Sequence, residues 1–453
     1  LAVEIAKRFN GEIINGDAMQ LYAGLPIITN KITPDEQQSV PHHLLGCISL
    51  REQTWVVGTF VRNALAIIED IRSRGKLPIL VGGTHYYIQS LLLRDHLSVQ
   101  DDGRDASNYV SVTTEKWPIL NEPTDVLLAE LRRVDPIMAE RWHPNDRRKI
   151  ENSLTIWLRT GKRASDVYAE QRQKRDSRSP PPPDGQAESQ KPDMRFPALV
   201  FWAHTDRETL HDRLNERVDT MLDNGLLAEV QTMSAFAKSE ADAGNIINEK
   251  QGAWLSIGYK EFVPYARALA EGSSPTEALG KIKLHAIEMT KSHTRQYSNS
   301  QVRWIRIKLA NALRDAGAAD SLYLLDSSDA SQFDQNVVQP ALSLTEKFLG
   351  RSEMPPPDTL SPLAAEMLSP KQDYDPSAEP QRWTKHHCDV CNVTCVLENQ
   401  WQAHIKSKAH KKVVSKRRLE VQTGHESSER PETQRSRATT GSQDQLESAS
   451  PIK

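Results

Sequence analysis

An aspartate, Asp17, follows a short apolar run, Glu12 to Ile14, that reads as a buried strand, so its carboxylate falls where strand gives way to loop. In open α/β sheets ligands bind in the crevice beyond the strand ends. With Gln20 and Tyr22 just behind it, a carboxylate there could accept a proton and hold a flat polar substrate. An aspartate that merely shapes the next turn fits the same residues. Gly82, Gly83 and Thr84 follow a second apolar run, Leu77 to Val81. The paired glycines serve either a tight turn or a close backbone approach to a ligand, to which Thr84 adds a hydroxyl. Arg213 and Arg217 stand four apart, on one face of a helix, where they could clamp a diphosphate or pair with Glu216 and Asp219.

A different chemistry is written near the end. Cys388 and Cys391 are separated by two residues, His404 follows after twelve more, and His410 after a further five. Two thiolates and two imidazoles at this spacing make the closed tetrahedral set of a structural Zn²⁺. Such a module is too short to fold on its apolar core alone, so the metal supplies the missing stability. Cys395 and Trp401 read as core residues of that finger, Cys395 as a small hydrophobe. Lys406, Lys408, Lys411, Lys412, Lys416, Arg417 and Arg418 continue from the histidines in what reads as one basic helix. Nucleic-acid contact and a nuclear-import signal both fit it.

The elements that position these residues follow from periodicity. Val57, Phe60, Val61, Ala64, Leu65, Ile68 and Ile71 have helical spacing, and Gly75 stops that helix. Strand, helix, strand makes a βαβ unit and an α/β fold, and the continuous apolar run before Gly82 suits a parallel sheet covered on both faces. Helices are expected over 124–133 and from His143–Asp146 to Gly161. The second is made basic by Arg147, Arg148, Lys149 and Arg159, as a solvated face or a phosphate contact. Residues 171–197, with four consecutive prolines from Pro180, read as an extended insert. Leu199 to Trp202 reads as a strand, and Asp206 as the cap of a helix ending at Gly225. Ile257, Gly258, Tyr259 and Lys260 form a turn into a helix. A longer helix is expected from Ser274 to about Tyr297, a strand at 303–307, then a last strand and helix over 321–349. The Pro- and Ser-rich stretch 352–381 reads as a linker and the polar tail beyond Glu420 as disordered.

The formal net charge of -3 over 453 residues excludes global attraction to nucleic acid, so any such binding uses local basic patches. Three of the four cysteines crowd between Cys388 and Cys395, which points to metal binding in a reducing compartment. No apolar run approaches the roughly 20 residues that span a bilayer, so no membrane partner is expected. The chain opens on Leu1 in what looks like a helix entered partway, and targeting signals are not legible.

In this order the motifs resemble the tRNA dimethylallyltransferase (tRNA isopentenyltransferase) family, of the eukaryotic kind with a C-terminal zinc finger. They are Glu12 to Tyr22, Pro41 to His43, Val81 to Tyr87, and His143 to Asp146. Next come Arg213, Arg217, Met221, Gly225 and Leu226, then Ile257 to Tyr259, then Thr294 to Tyr297 with Gln301 and Trp304. The resemblance covers Leu1 to about Leu349 and resumes at the finger. It implies an α/β fold with a P-loop-NTPase-like parallel sheet, a helical tRNA-binding insertion and a ββα zinc finger. The corresponding division is a catalytic core over 1–96 and 198–350, a helical insertion over 97–197, a linker over 351–382, the finger over 383–418 and a tail over 419–453.

It further implies transfer of a dimethylallyl group from dimethylallyl diphosphate to the exocyclic amine of the adenine 3′ of the anticodon in tRNA. Asp17 would be the general base, with Ala18, Met19, Gln20 and Tyr22 around the extruded base. Arg217 would bind the leaving diphosphate, helped by Arg213, with Thr84 near the reacting groups. Arg148, Lys149 and Asn152, with Ile257, Gly258, Tyr259 and Lys260, would meet tRNA. Mg²⁺ would accompany the diphosphate. A phosphate-binding loop, Gly-rich and ending in Lys-Ser or Lys-Thr, is expected immediately before Leu1, and a chain lacking it is expected to be nearly inactive. Ser298, Asn299 and Ser300 depart from the basic residues usual at their place. The implied location is the cytoplasm, with mitochondrion and nucleus open. A small-molecule phosphotransferase on the same scaffold and a non-catalytic RNA-binding protein are the competing readings.

Overall fold

The structure is a computed structural model that describes residues 1–93, 117–176, 193–245, 247–249, 251–270, 277–370 and 385–426. The prolines after Ser179, the start of the helix expected at Ser274 and the tail beyond 426 lie outside these, whereas 171–176 of the expected extended insert and 421–426 of the expected disordered tail are helical. In chain order the elements are α1 (Ala2–Arg8), β1 (Gly11–Asn15), β2 (His42–His43), α2 (Val57–Ser73), β3 (Leu77–Val81) and α3 (His85–Leu92). There follow α4 (Thr124–Val134), α5 (Pro136–Arg141), α6 (Arg147–Thr160) and α7 (Ala164–Asp176). Next are β4 (Val200–His204), α8 (Arg207–Asp223), α9 (Leu226–Asp242), α10 (Tyr259–Ala270), α11 (Glu277–Trp304), β5 (Leu322–Asp326), α12 (Gln339–Leu349) and α13 (Pro362–Leu368). The finger holds β6 (His386–Cys388), β7 (Val393–Cys395), α14 (Glu398–Lys406) and α15 (Lys408–Glu426).

β1 pairs in parallel with β2 on one side and β3 on the other, in register Ile13 with His42 and Ile13 with Ile79. Every residue of β1 is buried. Gly11 begins it because a Cβ there would lie 2.7 Å from Ile79 Cδ1 and 3.0 Å from the Leu77 carbonyl. β3 is only half-buried, and Val81 at its end is 44% exposed. Among the described residues it forms an edge of this sheet. The apolar stripe of α2 packs onto the core, with Phe60 stacked on Tyr87 at 4.3 Å, and Gly75 takes the left-handed turn that ends the helix.

A carboxylate in a fully buried strand demands partners. Glu12 has them: Arg74 through both guanidinium nitrogens, Lys76 at 2.7 Å and His43 at 2.7 Å. Their hydrogen bonds, the Arg74 pair foremost, hold the Glu12 carboxyl far below the usual range against the opposing effect of burial. Replacing Glu12 with Ala leaves those cations uncompensated beside the sheet and should cost about 3 kcal/mol. Because the folded pKa is depressed, the charge's contribution is complete above the unfolded value near about pH 4.3 and is lost as pH falls below it. Urea unfolding of wild type and variant should therefore differ at pH 7 and converge in acid.

β4 and β5 form a second parallel pair, from Val200 with Leu322 to His204 with Asp326. The chain leaves the α/β core at Leu93 and re-enters beside it, where Met194 bridges Leu93 and the Arg195 amide donates to the Leu92 carbonyl at 2.7 Å. Between these points α4 to α7 bury Leu127, Leu131, Met138, Ile150 and Leu154 in a core of their own. Asp135 ties them, accepting from the Met138 amide at 3.2 Å and the Ser165 amide at 2.9 Å.

Two further expectations give way. The strand expected at 303–307 is absent: α11 continues through a π-turn, Ile305–Leu309, into a helical segment Ala310–Asp315. Ile305, Leu309, Ala312 and Leu313 recur at helical spacing and are all buried, which outweighs the brief alternation of Arg303 to Ile307. Part of the expected linker is also ordered onto the core. Ser361 caps α13 through the Ala364 amide at 3.0 Å, Pro362 occupies the first turn, and Ala364 and Met367 pack with Trp202 and Leu322. A Ser-Pro start with apolar residues three apart is a helix signal that the composition of the stretch obscured.

Candidate active site and metal centre

The site is built where β1 and β3 end. The Gly16 amide donates to the Val81 carbonyl at 2.7 Å, and the Thr84 amide to the Gly16 carbonyl at 3.3 Å. Thr84 Oγ1 in turn accepts from the Ala18 amide at 2.9 Å. A Cβ on Gly82 would lie 2.1 Å from the Gly16 carbonyl carbon, and one on Gly83 would lie 3.2 Å from Asp17 Oδ2. The glycine pair is thus a close-approach device, and what it approaches is the Asp17 loop. Asn15, buried, brackets that loop: its Oδ1 accepts from the Asp17 amide at 2.9 Å, and its Nδ2 donates to the Asp17 and Leu44 carbonyls at 3.0 and 2.8 Å. The Asn-x-Asp spacing of an Asx turn was the available signal for this role.

Asp17 itself accepts from the Met19 amide at 2.8 Å. Burial pushes its carboxyl above the ordinary value, against backbone donors at Met19, Gln20 and Gly83. A carboxylate held rigidly, part-buried and more basic than usual suits proton abstraction. A cavity of about 580 Å³ is lined by Leu1, Glu4, Asn15, Gln20, Lys31 and Val81, and not by Asp17 itself. Burial lowers the Lys31 ammonium to about 8, with Glu229 opposing; Lys31 was not singled out from the sequence.

Several expected site residues have other employment. Tyr22 is 1% exposed, its hydroxyl bonded to Thr54 Oγ1 at 2.9 Å and donating to the Glu52 carbonyl at 3.2 Å, so it is core and cannot meet a substrate. Ala18 is buried and its amide is taken by Thr84. The Gln20 amide donates to the Asn30 carbonyl at 3.0 Å, which orients it at the cavity. Met19 Sδ receives the Ser256 hydroxyl at 3.6 Å.

The two arginines of α8 separate in role. Arg213 donates from both terminal nitrogens to the Ser327 and Ser328 carbonyls, each at 2.7 Å, fastening α8 to the loop after β5. It is therefore not free to clamp a diphosphate. Arg217 is exposed by residue surface, yet protein packed around its guanidinium lowers its pKa by burial, and it makes no hydrogen bond or ion pair among the described residues. Its helix is joined to α11 through Lys291 and Asp219 at 2.7 Å and through Arg295 and Asn215. α11 presents Tyr297, 49% exposed, whose hydroxyl is raised by burial and then by the charge of Asp17. Gly258 adopts φ +106°, against Ile28 of the loop that follows Asp17. Lys260 is nearly half exposed, and Tyr259 is buried.

On the insertion, Arg148 and Asn152 are exposed and four apart, so they share an outward face. Lys149 pairs with Asp146 at 2.8 Å and lies over the Trp142 ring at 5.2 Å. Arg147 is drawn inward by the Glu122 and Leu120 carbonyls, both at 2.6 Å.

In the finger, β6 and β7 pair antiparallel, and the donor atoms of Cys388, Cys391, His404 and His410 lie within 4.8 Å of one another. His404 Nε2 is buried without a hydrogen-bond partner. A buried imidazole nitrogen left without a partner costs free energy unless a metal takes its lone pair, so the set fits Zn²⁺. Cys395 is buried outside the set, and Trp401 stacks between His386 and His404. The single basic helix expected here is in fact two. Residues six apart on one α-helix point about 240° from each other. The chain therefore breaks at Ser407, extended at ψ 148°, whose hydroxyl accepts from the His410 amide at 3.1 Å and restarts the helix. Adding a chelator should release zinc and collapse amide-exchange protection over 386–410 while leaving protection of the α/β core unchanged.

A parallel sheet with a basic carboxylate at its strand ends and a guanidinium unpaired among the described residues, bearing a basic helical insertion and a zinc finger, defines a nucleic-acid-directed transferase. The comparisons with known proteins make that class specific. The chain belongs to the IPP transferase family, whose profile matches residues 20–308, and the C2H2-type zinc-finger profile matches residues 386–410. It is similar to the tRNA dimethylallyltransferase of Schizosaccharomyces pombe, 33% identical over 429 residues, covering 92% of each chain. The human tRNA dimethylallyltransferase is 32% identical, over 92% of this chain and 83% of that one. The fold matches a crystal structure of a eukaryotic dimethylallyltransferase acting on tRNA, with a TM-score of 0.70 and 29% identity over 94% of this chain and 96% of that one. Among the described residues no helix is long and apolar enough to cross a membrane.

Proposed function

We propose that this protein transfers the dimethylallyl group of dimethylallyl diphosphate to the exocyclic amine of the adenine 3′ of the anticodon in tRNA. The observation that carries this is the Asp17 carboxylate, fixed at the end of β1 by Asn15, Met19 and Gly83 and made more basic by burial. In the reaction the amine nitrogen bonds to the allylic carbon as that carbon's bond to diphosphate oxygen breaks. The amine proton passes to Asp17, and the electron pair leaves with diphosphate. An aromatic amine is a weak nucleophile, so a placed carboxylate helps as the new bond develops. Arg217, without an anion partner among the described residues, meets the departing charge. Thr84 keeps the Asp17 loop closed on β3, and Gln20 orients the base. The adenine must leave its stack to reach this place.

Arg148, Lys149, Asn152, the turn Ile257 to Lys260 and the finger are the surfaces offered to tRNA. Among the described residues the finger's ligands are the one cluster of metal-binding side chains; Mg²⁺ would accompany the diphosphate and offset its charge. The free thiols suit a reducing compartment. We therefore place the protein in the cytoplasm, with mitochondrial and nuclear pools open. The full-length protein, given tRNA with either dimethylallyl diphosphate or ATP, should release diphosphate and label tRNA with the first alone. Phosphoryl transfer from ATP to a small molecule would instead support the phosphotransferase reading.

A further inference from the structure

Two stretches of the chain that share no sequence neighbourhood, the turn before α10 and the middle of α11, meet at one buried carboxylate. Glu261, 3% exposed, accepts from the Gly258 amide through Oε2 at 2.8 Å and meets His293 Nδ1 through Oε1 at 2.6 Å. Gly258 is held at φ +106°, and a Cβ there would lie 3.4 Å from Ile28 Cγ1. The Ile27 and Ile28 amides are themselves fixed by the Glu229 carboxylate, at 2.9 and 2.8 Å. Just upstream, Ser256 reaches Met19, two residues beyond Asp17. His293 lies four residues before Tyr297, on the same face of α11. The contacts thus run from the Asp17 loop to the turn, and from the turn through Glu261 to His293 on α11.

We propose that Glu261 and His293 are a positioning pair that locks the Ile257 to Lys260 turn in the conformation that receives tRNA. The inference rests on the reading of that turn as a tRNA contact. Gly258 is in the left-handed region and its amide is satisfied by a side chain instead of by helix. Without the carboxylate, that amide is unpaired and the turn has no single preferred conformation. The acceptor oxygen is what matters to Gly258, so glutamine, which keeps one, should substitute for Glu261, whereas alanine should not.

The test uses the full-length protein as wild type, Glu261→Ala, Glu261→Gln and His293→Ala, each checked for folding by circular dichroism. Direct binding of tRNA by fluorescence anisotropy is measured with the KM values for tRNA and for dimethylallyl diphosphate. Glu261→Ala and His293→Ala should weaken tRNA binding and raise its KM about tenfold, as expected for a buried amide or carboxylate left without its partner. The KM for dimethylallyl diphosphate and kcat should stay within about twofold of wild type, and Glu261→Gln within about threefold on every reading. If Glu261→Ala does not fold, His293→Ala carries the same criterion. Unchanged tRNA affinity in the folded variants, a fall in kcat with no change in tRNA KM, or Glu261→Gln as weak as alanine would each overturn the proposal. A wild type that binds tRNA yet transfers no prenyl group would break the functional reading instead, and the anisotropy series would still decide this one.

Discussion

Asp17→Asn should reduce kcat by about a hundred- to ten-thousand-fold, the range over which a positioned general base contributes. The substitution keeps the shape of the side chain and an acceptor for the Met19 amide, so binding of tRNA should change little. What is lost is the group that takes the amine proton. The wild-type pH profile should carry the same signature. Burial raises the Asp17 pKa above the ordinary aspartate value, so the ionised base is lost, as pH falls, earlier than a solvated carboxylate would be. The acid limb of kcat/KM should therefore lie above about pH 4 and be missing from the residual activity of Asp17→Asn. An undiminished rate in the variant would remove Asp17 from the chemistry.

The second large effect is at Arg217. Replacing it with alanine should lower kcat/KM for dimethylallyl diphosphate by about a hundred- to a thousandfold, the loss associated with one donor aimed at developing negative charge. Because Arg217 has no hydrogen-bond or ion-pair partner among the described residues, its removal leaves none of them unpaired, and thermal stability should be nearly unchanged. Arg213 is the instructive contrast. Its two bonds to the Ser327 and Ser328 carbonyls mean that Arg213→Ala should first lower the melting temperature. Steady-state kinetics alongside differential scanning fluorimetry separates the two arginines. A variant at Arg217 that turns over normally would shift the anion site elsewhere.

The contrast between these neighbours shows what one sequence carries and what it withholds. Spacing places Arg213 and Arg217 on one helical face, but which of them is consumed internally depends on carbonyls more than a hundred residues away. Tyr22 misled for a related reason. It lies five residues after Asp17, yet the chain turns inward there and the ring fills the core. Asp17 was legible because an apolar strand ending in a carboxylate is a local pattern, and the finger because metal ligation imposes spacing. The break at Ser407 was implicit in the five-residue gap between the histidines, since no continuous helix turns both to one metal. The helix through Ile305 was not visible in Arg303 to Ile307 alone, where a period of two competes with the longer helical spacing of Ile305, Leu309 and Leu313. Contacts such as Glu261 with His293 join residues whose separation carries no periodic signal, and only the folded chain brings them together.

The most direct test digests tRNA to nucleosides after incubation with the full-length protein and dimethylallyl diphosphate, and maps the product by mass spectrometry. One dimethylallyl group on the exocyclic amine of the adenine immediately 3′ of the anticodon, formed in step with released diphosphate, is the predicted result. Modification at another base, or diphosphate released with no prenylated adenine, would contradict the account.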